Sequence, residues 1–240
     1  MRAVRLRSAF LFLFYVLLVI LLIPFILLCM LIGKRAPLVS VAKWAMRLSR
    51  RILGIRLDVT GLENSDRGRP LVFMANHLSF LDGPLLFILI PHQVRVIIKE
   101  GVGRIPVVGP GMRFVGFLTV ARKGGHEGKA RIGLAARLMR ERNYSFLIFP
   151  EGTRSRDGRL GPFRRGGFFL ALESGAPIVP VAIRGTYEMM PRGRRYVGKG
   201  RVRVDFLAPI PSEGTTVETM PDLMEKVRSA VAAGLEKRDV

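Results

Sequence analysis

A histidine and an aspartate stand five residues apart in Asn76-His77-Leu78-Ser79-Phe80-Leu81-Asp82, directly after the apolar run Leu71-Val72-Phe73-Met74-Ala75 and just before Gly83-Pro84. An imidazole with a carboxylate partner is the usual makeup of a general base and the group that orients it. On a regular helix, positions five apart diverge by about 140°, so the two side chains cannot meet as helical neighbours. They can meet if His77 lies in the turn leaving a strand and Asp82 in the first turn of the next helix, a place where Pro84 is tolerated. The same residues have a structural use, because Ser79-x-x-Asp82 is also a helix-start pattern in which either side chain can cap. The spacing alone leaves both uses open.

A second polar group follows the apolar run at 145–149 in Phe149-Pro150-Glu151-Gly152-Thr153-Arg154-Ser155. In open α/β sheets ligands bind beyond the carboxyl ends of strands, so a carboxylate, a glycine and an arginine there form a candidate site. A solvated Glu-Gly turn is the plain counterpart. Arg122 closes the run from Gly116 to Val120 in the same manner, and Lys99 closes 94–98. Three strand-end cations, Lys99, Arg122 and Arg154, suit a phosphate, which arginine can grip with two hydrogen bonds.

The elements that must position these groups follow from periodicity. Residues 55–60, 71–75, 94–98, 117–120, 145–149 and 178–183 read as strands, and 85–90, 129–142, 166–174 and 217–236 as helices. Strands alternating with helices predict an α/β fold with a largely parallel central sheet covered on both faces. Residues 201–206 read as an added edge strand, and 37–53 as an amphipathic helix that is either interfacial or core-facing. His92 and His126 follow turn residues and read as surface positions. No cysteine is available as a ligand near them, so no metal site is expected.

The chain has 240 residues, with 39 Lys and Arg against 18 Asp and Glu, a formal charge of +21 that calls for an anionic partner. Residues 9–32 carry no charged side chain and are long enough to cross a bilayer core as a helix. The run exceeds the apolar part of a cleaved signal and no small-x-small site follows, so we expect a retained anchor. Pro24 interrupts it, which leaves a spanning helix and a shallow hairpin kinked there both open. The heavier basic cluster behind it, Lys34 to Arg51, places the main domain on the cytoplasmic face. Most aromatics fall in apolar runs rather than between basic residues, which argues against nucleic acid. The sole cysteine, Cys29, lies in the anchor, a poor setting for a nucleophile.

Taken in order, His77-x4-Asp82, the segment from Gly116 to Arg122, Phe149 to Ser155 and Ile178-Val179-Pro180-Val181 resemble the four blocks of the glycerolipid acyltransferases, over roughly residues 70 to 185. The likeness is strongest to bacterial 1-acyl-sn-glycerol-3-phosphate (lysophosphatidate) acyltransferases. It implies an α/β domain over 54–240 behind an N-terminal membrane-embedded helical anchor and interfacial helix over 1–53. It implies transfer of a fatty acyl group from an acyl-CoA or acyl carrier protein thioester to lysophosphatidate or a related acceptor at a membrane, with no resident cofactor. Carried onto this sequence, His77 is the base and Asp82 its partner. Arg122, Glu151 and Gly152 fall in acceptor-binding blocks, and Pro180 in one that shapes an apolar wall; Thr153 and Arg154 lie in the same block as Glu151, and Lys99 joins the substrate-binding candidates from its strand end. Ala121 departs from the acidic or polar residue many relatives carry there, which bears on the acceptor's identity. A non-enzymatic module binding anionic lipid is the alternative from another class.

Overall fold

Short runs of β-branched and aromatic residues between amphipathic segments can bury their apolar surface only by pairing into a sheet and covering it with helices. The computed structural model describes residues 2–65, 68–120, 126–194 and 196–237, with backbone alone at 2–5, 99, 100, 102, 120, 126 and 127. Helices α1 (Arg2–Leu31) and α2 (Ala36–Leu53) lead into β1 (Ile55–Thr60), a 3-10 turn (Leu62–Ser65) and β2 (Val72–Ala75). Next come α3 (Asp82–Leu89), β3 (Val94–Lys99), α4 (Glu100–Gly103), α5 (Val108–Phe114) and β4 (Leu118–Val120). They are followed by α6 (His126–Arg142), β5 (Ser145–Ile148), α7 (Gly166–Ser174), β6 (Ile178–Arg184), α8 (Thr186–Met189), β7 (Gly200–Phe206) and α9 (Met220–Glu236).

The sheet runs β1-β7-β6-β2-β5-β3-β4, and its neighbours are parallel except for the β6–β7 pair. Residues of β2 and β6 alternate between two apolar clusters: Phe73, Ala75, Val179 and Val181 on one face, Val72, Met74 and Ile178 on the other. Burial on both faces is why these strands read as unbroken apolar runs. Helix α3 covers the first face, while α6, α7 and α9 cover the second. The strands therefore end together along one edge, where His77 and Glu151 follow β2 and β5.

Two expectations are corrected, and one choice left open is narrowed. The strand at 201–206 is not an edge, because β1 pairs along β7 and takes the edge itself. Arg201 and Arg203 reach Asp58 of β1, at 3.3 and 3.6 Å. His92 is not a free surface residue: its ring bonds the Ser65 carbonyl, lies 3.2 Å from Ser145 Oγ and meets Phe73 edge-on. Nor does the chain kink into a hairpin at Pro24, since α1 continues through it and the reversal lies beyond, at Gly33. Helices α4, α5 and α8 have seven residues or fewer, too short to show a period.

The reversal lays α1 against α2, joined by a hydrogen bond of 2.8 Å between Tyr15 Oη and Ser49 Oγ. Leu11 and Phe14 pack into the same apolar cluster as α3, while Phe10, Phe12, Leu13, Leu17, Ile20 and Leu21 face outward. The stretch Leu6–Leu31 is long and apolar enough to cross a membrane. Helix α2 is core-facing: Ala45, Ser49 and Leu53 are buried and Trp44 points out, 54% exposed.

Candidate active site

The site starts from what ends β2. Asn76 is fully buried and locks the strand to β6, donating from Nδ2 to the Ile183 carbonyl (2.9 Å) and accepting the Ile183 N–H at Oδ1 (2.8 Å). Asn76→Ala strands both main-chain groups away from water, at about 1–3 kcal/mol each. We expect a stability loss of about 2–4 kcal/mol, read from the urea midpoint at unchanged m-value.

One residue on, the chain turns and His77 meets Asp82 across that turn, Nδ1 to Oδ2 at 2.9 Å. Asp82 is the first residue of α3 and fully buried, and the same Oδ2 also accepts the N–H groups of Leu78 and Ser79, each at 2.7 Å. The carboxylate thus faces back into the turn and caps no α3 amide; the residue before the helix is Leu81, without a side-chain cap. A carboxylate oxygen that accepts the Leu78 and Ser79 N–H groups takes the His77 contact as an acceptor too, which puts the imidazole proton on Nδ1. Nε2 is left with a lone pair and, among the described residues, no hydrogen-bond partner. The His77 side chain is 21% exposed, enough for a reacting group to approach.

The turn after β5 closes around the histidine. The Phe149 ring stacks on the imidazole, centroids 4.1 Å apart at 19°. Glu151, buried, accepts the His77 N–H at Oε1 (2.7 Å) and the Gly161 N–H at Oε2 (2.9 Å). Ser155 donates its N–H to the His77 carbonyl at 2.8 Å. Gly152 makes the turn at φ +70°, a conformation that side-chain-bearing residues rarely adopt. Burial pushes the Glu151 carboxyl above its ordinary range, and the two amides pull it back. Ser79, also buried, donates to the Met190 carbonyl at 2.8 Å and ties the His77 turn to the connection between β6 and β7.

Beside this turn lies a cleft of about 360 Å³ whose walls include Glu151, Thr153, Asp157, Arg159 and Arg164. Of the residues read from the sequence, His77, Asp82 and Glu151 are joined by hydrogen bonds, Gly152, Thr153 and the half-buried Arg154 follow Glu151 in the same turn, and of these Glu151 and Thr153 line the cleft. Lys99 is the last residue of β3, paired with Val120, and only its backbone is described. Arg122 lies outside the described residues. Pro180 sits inside the sheet, buried opposite Met74. Gly161 had no residue pattern to announce it, and the roles of Asn76 and Phe149, which open the two quoted motifs, come from where the two strands end.

These blocks meet a known pattern. The Acyltransferase family model matches residues 56–184, more than half of the chain. This chain belongs to the Acyltransferase family. A chloroplastic 1-acyl-sn-glycerol-3-phosphate acyltransferase of Brassica napus is 38% identical over 159 residues, covering 65% of this chain and 45% of that protein. The human 1-acyl-sn-glycerol-3-phosphate acyltransferase beta is 30% identical over 200 residues, covering 83% and 72%. The chain spans about half the length of the chloroplastic relatives from Brassica napus and Arabidopsis thaliana that it matches. The crystal structure of PlsC, the 1-acyl-sn-glycerophosphate (LPA) acyltransferase of Thermotoga maritima, superposes with a TM-score of 0.80 at 25% identity and covers 98% of both chains. The fold of this chain is thus the PlsC fold, over nearly its whole length.

Proposed function

We propose that this acyltransferase moves a fatty acyl group from an acyl-CoA or acyl carrier protein thioester to the free hydroxyl of lysophosphatidate, giving phosphatidate. One observation carries the reading: a buried carboxylate holds Nδ1 of His77, a partly exposed side chain at the end of β2. An alcohol is a weak nucleophile, and its proton must leave as it attacks. Nε2 takes that proton while the hydroxyl oxygen bonds to the thioester carbonyl carbon, and Asp82 stabilises the imidazolium. As the tetrahedral intermediate collapses, the C–S bond breaks; the thiolate, of pKa near about 8.5, leaves readily and recovers a proton from the imidazolium. The sequence has no Gly-x-Ser-x-Gly elbow, which favours direct transfer over a serine acyl-enzyme. The thioester is a co-substrate, and the reaction calls for no resident cofactor.

Lys99, Arg122 and Arg154 hold the acceptor phosphate in this reading, with Gly152 and Thr153 shaping the turn beside it and Pro180 supporting an apolar wall. A charged hydrogen bond is worth about 1.5–3 kcal/mol, so Arg122→Ala should raise KM for lysophosphatidate about 10- to 100-fold and KM for the thioester far less. Equal effects on both would remove its phosphate role. The apolar face of α1 holds the protein at the membrane, and the basic cluster from Lys34 to Arg51 keeps the catalytic domain on the cytoplasmic side. The deciding assay offers purified protein lysophosphatidate, glycerol 3-phosphate and neutral lysolipids, each with both thioester classes. Preference for lysophosphatidate supports the reading; a faster rate with another acceptor reassigns the substrate.

A further inference from the structure

Glu151 belongs by position to the acceptor-binding turn, yet its carboxylate is spent on the protein itself. Both oxygens already accept main-chain amides, those of His77 and Gly161, and the residue is 6% exposed. The turn from Phe149 to Ser155 holds His77 at three points: the N–H by Glu151, the carbonyl by the Ser155 N–H, and the ring face by Phe149. Asp82 supplies the remaining hold, on Nδ1. A carboxylate is the one side chain that can accept two amide N–H groups with two oxygens, and a glycine at 161 is what lets it come close: a Cβ there would sit 2.8 Å from Oε2.

We infer that Glu151 is a positioning residue for His77, fixing the main chain of the base while making no bond to the acceptor. This rests on the reading of His77 as base. The consequence is a kinetic signature. Misplacing a reacting group by about 1 Å costs up to about 10²-fold in rate, whereas loss of a ligand to the acceptor raises KM.

Glu151→Gln keeps the shape but offers one acceptor oxygen and an NH2 group, so one of the two amides faces a donor. We expect kcat to fall about 10- to 100-fold with KM for lysophosphatidate held, and the imidazole 15N shifts of His77 to move. Gly161→Ala leaves the charge in place but crowds Oε2, and should show the same pattern. If E151Q does not fold by circular dichroism, G161A carries the test alone. A raised KM with kcat unchanged in either folded variant overturns the inference and makes Glu151 an acceptor ligand. Unmoved His77 shifts with unchanged kcat also overturn it. Failure of the base reading looks different: His77→Ala would then retain full activity, whatever E151Q does.

Discussion

His77→Ala is expected to lower kcat by about 10²- to 10⁴-fold, the usual contribution of a positioned general base. KM for both substrates should change little, because the imidazole acts on the hydroxyl proton and holds neither the phosphate nor the thioester. Folding should survive. The side chain is partly exposed, and its loss removes a stacking contact with Phe149 worth about 1 kcal/mol. Asp82 retains the Leu78 and Ser79 amides, so its buried charge is not left alone. Steady-state kinetics beside a urea titration separates these effects: a large kcat loss at near-native stability is the predicted pair.

Asp82 gives the second large effect, and its two obvious variants should differ. Asp82→Ala leaves two buried amides and the His77 Nδ1–H without an acceptor. At about 1–3 kcal/mol for each stranded group, we expect about 3–5 kcal/mol of lost stability and a kcat about 10³- to 10⁴-fold lower. Asp82→Asn is gentler here because all three donors converge on a single oxygen, Oδ2. An amide oxygen can take that place, with its NH2 where Oδ1 has no partner among the described residues. The imidazole then keeps its tautomer and loses only the negative charge beside the imidazolium. The corresponding change in a serine protease costs about 10⁴-fold because the tautomer is wrong; here about 10²-fold is expected, with the 15N pattern of His77 unchanged. A D82N enzyme as impaired as D82A, with Nε2 protonated, would refute this account of the turn.

Much of this was legible in the sequence for physical reasons. Strands buried on both faces must be continuous apolar runs, which is why the segments around Val72, Ser145 and Ile178 were readable. The His77–Asp82 pair was readable because a five-residue gap allows contact only across a turn between strand and helix, and the chain supplies that turn. The fate of Glu151 was not readable. Its partner Gly161 lies ten residues along an irregular loop, and nothing in a Glu-Gly pair says whether the carboxylate faces solvent or the main chain of another strand end. The place of β7 was hidden similarly, since Arg201 and Arg203 look like an exposed edge until Asp58 of β1 stands beside them.

The most direct measurement follows thiol release and phosphatidate formation together, with full-length protein in vesicles, lysophosphatidate and an acyl thioester, for wild type and His77→Ala. The account predicts one thiol per phosphatidate in the wild type, no thiol burst before acceptor is added, and a rate about 10²- to 10⁴-fold lower in the variant. A stoichiometric burst without acceptor, or phosphatidate made by His77→Ala at the wild-type rate, would contradict direct transfer by His77.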